Sequence, residues 1–157
     1  MDAIVDAWRR ERPDLDVAPL QVLSRVTRLA RQLDLTRRDA FTEHDLASWE
    51  FDVLAALRRA GDPYTVSAGQ IASQTLVSSG TITNRVDRLQ ERGLVRRLPD
   101  PTDRRGVLIQ LTPAGMSAVD GALTALLDHE RQLLRGLSVG QQRDLARLLR
   151  TLGRTMP

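Results

Sequence analysis

The stretch SSGTITNRVDRLQERGLVRRLPDPTDRRG (Ser78–Gly106) carries the clearest structural signal in the chain. Its first half has an apolar stripe at helical spacing, which is formed by Ile82, Val86 and Leu89. Gly93 is suited to end that helix, and the alternating segments 94–98 and 107–111 predict two strands. The long loop between these strands carries two arginines at its tip. This part of the chain is therefore predicted to be a helix followed by a β-hairpin.

A second, shorter helix precedes this stretch. Ser67 is placed to cap a helix over residues 68–74, and residues 77–79 form the turn into the longer helix. An apolar helix over residues 48–60 lies before them and ends at the sequence Gly61-Asp62-Pro63. Residues 67–112 are therefore predicted to form a helix-turn-helix with a small β-hairpin wing.

Helices are also predicted on both sides of this unit. An amphipathic helix over residues 2–11 is followed by a long helix that Asp16 caps and that ends near Leu35. Thr112 and Pro113 begin a helix that reaches about residue 136, and Ser138 caps the last helix. The fold class predicted is mainly α, within one structural domain.

The terminal helices carry more apolar positions than one small core requires. We therefore expect residues 1–45 and 113–157 to form a homodimer interface around a winged helix-turn-helix lobe at residues 46–112. Folding of these helices back onto their own domain is the alternative.

The excess positive charge of the chain lies within residues 78–112. This window has seven arginines and four acidic residues, whereas the rest of the chain has sixteen of each. A cationic surface on a helix and hairpin is what binding to duplex DNA requires. The polar and basic residues expected to contact DNA are Ser79, Thr81, Thr83, Asn84, Arg88, Arg104 and Arg105.

Composition argues against several other classes of function. The chain has no cysteine, which excludes disulfides, thiol chemistry and cysteine-bound zinc. The two histidines, His44 and His129, are too few for a convincing metal site, and no catalytic triad or phosphate-binding loop is present. We therefore expect no enzyme activity and no metal or other cofactor. The charged N-terminus and the lack of a long apolar run favour a cytoplasmic protein that does not bind membranes.

Three segments resemble the winged helix-turn-helix of the multiple antibiotic resistance regulator (MarR) family. They are WEFDVLAALRRAG (Trp49–Gly61), the stretch Ser78–Gly106, and LTPAG (Leu111–Gly115). The resemblance implies a dimer that binds a pseudo-palindromic operator. It also implies that the two recognition helices lie in successive major grooves, roughly one helical turn apart.

Four further residues resemble the urate-responsive subgroup of that family, which has an additional N-terminal helix. The matching positions are Trp8, Asp52, Arg59 and Arg85. Asp52 and Arg59 are two helical turns apart and so project from the same face, and Asp52 stands between apolar neighbours, where an unpaired carboxylate is costly. We expect a planar anionic effector, such as urate or another purine, to bind Trp8 and Arg59. Its charge would disfavour the Asp52 carboxylate and weaken an Asp52–Arg85 pair, releasing DNA.

The sequence therefore predicts a ligand-responsive transcription regulator, a repressor that a small anionic ligand releases from its operator. Two alternatives belong to different classes. The first is a DNA-binding dimer without an effector, which acts architecturally or through a partner protein. The second is a protein-interaction module whose basic hairpin binds an acidic partner. Effector titration separates the first from the prediction, and a gel shift with the protein's own upstream DNA separates the second.

Overall fold

The computed structural model describes residues 2–103 and 106–155. These residues form seven α-helices and three β-strands, which belong to two compact units, Met1–Asp39 and Ala40–Pro157. Within the described residues, no helix has the length and apolar character needed to cross a membrane.

The first unit contains helix α1 (Asp2–Glu11) and most of helix α2 (Ala18–Thr42). The Asp16 Oδ1 atom accepts a hydrogen bond from the backbone N–H of Ala18 at 2.9 Å, so Asp16 caps α2 as the sequence predicts. The predicted end near Leu35 is wrong, because α2 continues to Thr42.

The polar residues 36–42 extend α2 instead of ending it. Arg38 pairs with Asp34, one turn earlier, at 3.0 Å, which is an i,i+4 contact that favours a helix. Ala40 and Phe41 are buried at the start of the second unit. The loop predicted from polar composition is replaced by helix because these local and tertiary contacts both favour helical backbone.

The second unit contains the other helices and all three strands. In chain order these are α3 (Ser48–Arg59), β1 (Thr65–Ser67), α4 (Ala68–Thr75), α5 (Ser79–Glu91), β2 (Val95–Pro99), β3 (Val107–Leu111), α6 (Pro113–Leu133), a 3₁₀ turn (Leu134–Gly136) and α7 (Val139–Gly153). The predicted winged helix-turn-helix, mainly helical with a small antiparallel wing, is confirmed.

The wing has one strand more than the sequence predicts. Its strand order is β1–β3–β2, and both pairs are antiparallel. The hairpin of β2 and β3 was predicted, whereas β1 joins the other edge of β3 with Ser67 opposite Leu108. A strand of three residues is too short to show a recognisable alternation, so periodicity does not reveal it.

The core of the second unit fixes the orientation of α5. The predicted inward stripe of α5 is confirmed, because Ile82, Val86 and Leu89 are all buried. They belong to a cluster that also contains residues of α3, α4 and the sheet, among them Leu54, Leu57, Ile71 and Ile109. Since this face is fully occupied by the core, the opposite face of α5 is directed away from it.

Candidate nucleic-acid interface

The outer face of α5 is polar and begins at a well-formed N-terminus. The Ser78 hydroxyl oxygen accepts a hydrogen bond from the backbone N–H of Thr81 at 3.4 Å, and Ser78 thereby caps the helix. The five predicted DNA-contacting residues in this helix are all exposed, and they are Ser79, Thr81, Thr83, Asn84 and Arg88. These five residues therefore present four short polar side chains and the guanidinium group of Arg88 to their surroundings.

The arginines of the basic window differ in their contacts. Arg97 pairs with Asp87 at 2.6 Å and donates to Gln90 at 3.1 Å, which ties β2 to α5. Arg92 forms ion pairs with residues near the start of α3, whereas Arg88 is exposed on α5. Counting charges in the sequence locates the cationic surface, but it does not separate arginines held in internal pairs from the others.

The tip of the wing is organised around Asp100. Asp100 Oδ1 accepts hydrogen bonds from the Thr102 hydroxyl at 2.7 Å and from the Thr102 backbone N–H at 2.8 Å. These bonds, the hydroxyl bond foremost, lower the pKa of Asp100 below its ordinary value. Gly106 closes the loop by donating to the Asp103 carbonyl at 2.9 Å. The two predicted minor-groove residues, Arg104 and Arg105, lie outside the described residues.

A cavity of about 650 Å³ adjoins the outer face of α5. Its lining consists of Trp49, Thr81, Asn84, Arg85, Asp87, Arg88 and Glu91. The guanidinium carbon of Arg85 lies 5.5 Å from the centroid of the Trp49 ring, within the range of a cation–π interaction. Trp49 lies in the helix that the sequence predicts over residues 48–60, but its place in this cavity was not predicted. No local pattern could have revealed this placement, because it needs Trp49 of α3 and Arg85 of α5, 36 positions apart in the chain, to lie side by side.

The four predicted effector residues have different surroundings. Trp8 belongs to the first unit and is 49% exposed, whereas the other three belong to the second unit. Arg85 lines the cavity, but among the described residues Asp52 and Arg59 do not. Arg59 is the last residue of α3 and donates from Nη2 to Gln74 Oε1 at 3.2 Å, which joins α3 to α4.

The expected apolar surroundings of Asp52 are not found. Its neighbours Phe51 and Val53 are buried, whereas the Asp52 residue itself is exposed. Adjacent helical residues point about 100° apart, so apolar neighbours in the sequence do not imply an apolar environment. The expected cost of an unpaired carboxylate at this position therefore does not apply.

The histidines are far apart in the chain and differ in setting. The His44 ring lies over Gly121 of α6, where an added Cβ would approach it to 2.7 Å. His129 is partly buried in α6, and its Nδ1 atom has no hydrogen-bond partner among the described residues. No group of three or more histidine, aspartate or glutamate side chains in residues 2–103 and 106–155 is arranged to hold a metal ion.

Comparison with known proteins agrees with this architecture. A profile of the MarR family matches residues 44–106. The transcriptional regulator PecS of Dickeya dadantii (strain 3937) is 39% identical over 146 residues, which are 93% of this chain and 88% of PecS. The chain belongs to the MarR family. It is therefore a DNA-binding transcription regulator and not an enzyme.

Two solved structures of MarR-type regulators relate the fold to DNA and to small molecules. A mutant MarR from E. coli complexed with operator DNA superposes with a TM-score of 0.73 at 26% identity, over 87% of this chain and 94% of that one. BpsR of Bordetella bronchiseptica, whose DNA binding is regulated by 6-hydroxynicotinic acid, superposes with a TM-score of 0.64 at 27% identity. That match covers 82% of this chain and 98% of BpsR.

Proposed function

We propose that this MarR-family chain is a homodimeric repressor that binds a pseudo-palindromic operator and is released by a small anionic ligand. In this proposal α5 is the recognition helix, and its exposed residues Ser79, Thr81, Thr83, Asn84 and Arg88 face the major groove. Arg104 and Arg105 of the wing enter the adjacent minor groove. The similarity to an operator-bound MarR supports the DNA-binding mode.

The ligand we propose is planar and anionic, such as urate or a related purine. Two features of the cavity beside α5 support this chemistry. The Trp49 ring offers a face for stacking, and the guanidinium groups of Arg85 and Arg88 offer positive charge. Asp87 and Glu91 also line the cavity, and they favour a ligand that carries hydrogen-bond donors as well as its negative charge. The regulation of the similar BpsR by a heteroaromatic acid is consistent with this class.

The observation that carries the proposal is that the cavity and the DNA-facing side of α5 share residues. Thr81, Asn84 and Arg88 line the cavity and are also proposed to contact DNA. A ligand bound there would occupy side chains that the operator requires, so ligand and DNA would bind in competition. Such a ligand shifts the equilibrium only by its difference in affinity for free and DNA-bound protein.

Trp8, Asp52 and Arg59 stay in the proposal as ligand-responsive positions, through the resemblance to urate-responsive regulators. In that route the ligand charge acts on Asp52 and changes its interaction with Arg85 of the recognition helix. Arg59→Ala then separates the two routes of release. Direct competition at the cavity predicts normal release by this variant, whereas the route through Asp52 predicts normal operator binding without release.

The test is fluorescence anisotropy with labelled DNA from upstream of the protein's own gene. We expect retention of this DNA against an excess of unrelated competitor, and its release by urate, xanthine, hypoxanthine or 6-hydroxynicotinic acid. Calorimetric titration with the same compounds and with citrate measures ligand binding directly. Operator binding without any effect of these compounds would favour an effector-independent architectural dimer. Failure to retain specific DNA would favour a module that binds an acidic protein.

A matched pair of variants tests the cavity itself. Arg85→Gln removes the cation over Trp49, and we expect ligand affinity to fall about tenfold or more, as for the loss of a charge-assisted contact. Arg96→Gln removes an equal charge from β2, outside the cavity lining, and ligand affinity should stay unchanged. Equal effects of the two substitutions would place the ligand elsewhere.

A further inference from the structure

The end of α5 is fixed by Arg92, which is one of the seven arginines of residues 78–112. Arg92 follows the last residue of α5, and its guanidinium makes four short contacts. Nη1 lies 2.8 Å and 2.7 Å from the two carboxylate oxygens of Glu50. Nη2 lies 2.7 Å from the Asp45 carbonyl oxygen and 2.6 Å from Asp45 Oδ2. One side chain thereby joins the recognition helix to the start of α3 and to the turn before it.

Glu50 makes this junction costly to break. It is 5% exposed and is the only charged side chain among the buried residues of the described chain. Its Oε2 atom also accepts the backbone N–H of Ala47, the N-cap residue of α3, at 2.8 Å, which is the half of a capping box that the N3 side chain supplies. A buried carboxylate requires a partner, and Arg92 supplies the opposite charge. The same pairing raises the pKa of Arg92.

The turn that Arg92 contacts is itself held on two sides. Leu46 donates its N–H to the Phe41 carbonyl at 3.0 Å, which ties the turn to the end of α2. The adjacent His44 ring lies against Gly121 of α6. Arg92 is therefore attached to a support that contacts several helices of the unit, and a displacement of its guanidinium would disturb more than one contact.

We propose that Arg92 is a positioning residue, which sets the rotation and the C-terminal placement of α5 and does not contact DNA. This inference rests on the proposed role of α5 as the operator-reading helix. Base-edge hydrogen bonds depend on the placement of side chains such as Asn84, so a small rotation of α5 weakens specific binding. Contacts to phosphate are long-ranged and non-directional by comparison, and non-specific binding is little affected.

Two substitutions separate positioning from a phosphate contact. Arg92→Lys keeps the positive charge but loses the planar fork that contacts Glu50 and Asp45 together. Glu50→Gln keeps an oxygen for the Ala47 N–H and increases the net charge by one. A phosphate contact predicts nearly normal operator binding for both variants. Positioning predicts that each lowers operator affinity about tenfold, the size of a typical coupling between contacting residues, while affinity for unrelated DNA stays constant or rises.

The salt dependence and the double variant complete the test. Positioning predicts that Arg92→Gln leaves the slope of log affinity against log salt for unrelated DNA unchanged. It also predicts that Arg92→Gln combined with Glu50→Gln loses no more specific affinity than Arg92→Gln alone. A lost phosphate contact would instead weaken the binding of Arg92→Gln to operator and to unrelated DNA equally and would reduce the salt slope by about one. That result would overturn the inference.

Separate control experiments test whether the variants fold and whether α5 binds the operator as proposed. Circular dichroism checks each variant, and Asp45→Asn is a milder variant because the Asp45 side chain is 97% exposed and asparagine tolerates its φ of +54°. It should lower specific affinity less than Glu50→Gln does. If all of these variants fold and none of them loses affinity for the operator, the inference is wrong.

Asn84→Ala tests α5 as the reading helix. If it leaves operator affinity unchanged, the proposed function fails; if it alone weakens binding, only the role of Arg92 fails.

Discussion

At the scale of single residues, Gly115 shows how closely α6 approaches the segment between α5 and β2. It lies in the first turn of α6, where the helix passes Leu94, just before the start of β2. A Cβ atom added at Gly115 would lie 2.1 Å from the backbone carbonyl oxygen of Leu94 and 2.9 Å from the Leu111 side chain. The obstacle is backbone, so no side-chain rotation can relieve the clash.

Gly115→Ala should therefore lower the free energy of unfolding by about 1–3 kcal/mol, the usual cost of overpacking. Urea denaturation followed by circular dichroism measures this change. Gly140→Ala is the matched control, because Gly140 also lies in the first turn of a helix, α7, and its added Cβ meets nothing closer than 3.9 Å. Equal stability of the two variants would show that α6 can move away from Leu94 without cost.

Asp100 gives the wing a defined dependence on pH. Its pKa is lowered in the folded protein, foremost by the Thr102 hydroxyl. Its contribution to folding is therefore complete above the pKa of the unfolded chain and is lost as the pH falls through the lower, folded value. Thr102→Val should raise the pKa of Asp100 towards its ordinary value of 3.8, as measured by NMR titration of the side-chain carboxyl carbon. Thr65→Val, on β1, is the control, and an unchanged midpoint in Thr102→Val contradicts the assignment.

The sequence shows which residues are charged, but it does not show which of them are paired with one another. Arg88 and Arg92 look alike in the basic window and both are exposed, yet Arg92 is bound to Glu50, 42 positions earlier. Asp52 looked buried because its neighbours are apolar, and it is exposed. These outcomes depend on contacts between distant segments, whereas the sequence pattern reports only local order.

At the scale of elements, Thr112 joins the start of α6 to the region between α5 and β2. Its hydroxyl oxygen accepts the Gly115 backbone N–H at 3.0 Å, which caps α6. The same hydroxyl donates towards the Gly93 carbonyl at 2.7 Å, and the Thr112 backbone N–H donates to the Leu94 carbonyl at 3.1 Å. A single residue thus connects the segment between α5 and β2 to the start of α6.

Thr112→Val should lower the free energy of unfolding by about 1 kcal/mol, the typical effect of losing a helix cap. Thr124→Val is the matched control, since its hydroxyl bonds only to the carbonyl of Asp120 within the exposed part of α6. Thermal unfolding of both variants measures the difference. If Thr112→Val is as stable as Thr124→Val, the hydroxyl is not needed to hold the three elements together.

Elements defined by local signals were predicted well, and those defined by tertiary contacts were not. Ser67, Thr112 and Ser138 all cap helices as the sequence indicates, because a cap requires only neighbouring residues. Strand β1 exists through its pairing with β3, about forty residues later, and the last turns of α2 end in the buried residues Ala40 and Phe41. The cavity beside α5 was also missed, since it needs Trp49 and α5 side by side.

At the scale of the whole molecule, exposed apolar side chains on α7 indicate a surface that a partner chain covers. Leu145, Leu148 and Leu149 recur at helical spacing and are 42%, 58% and 46% exposed. Exposed apolar stripes of this kind are typical of protein interfaces. The simplest way to bury this stripe is to pack it against the same stripe of a second copy in a symmetric dimer. The proposed homodimer would therefore use α7, and two linked recognition helices would bind two half-sites of one operator.

Leu148→Glu should convert the dimer to a monomer, because two buried carboxylates would face the apolar stripe of the partner copy without compensation. Sedimentation equilibrium should give twice the 17.5 kDa chain mass for the unmodified protein and the single mass for the variant. Leu76→Glu introduces the same change at a 92% exposed leucine between α4 and α5 and should stay dimeric. The operator affinity of Leu148→Glu should fall, because each monomer would then bind its half-site independently. In a dimer, binding of one protomer raises the effective concentration of the other at the second half-site. A dimeric Leu148→Glu variant would move the interface away from this face of α7.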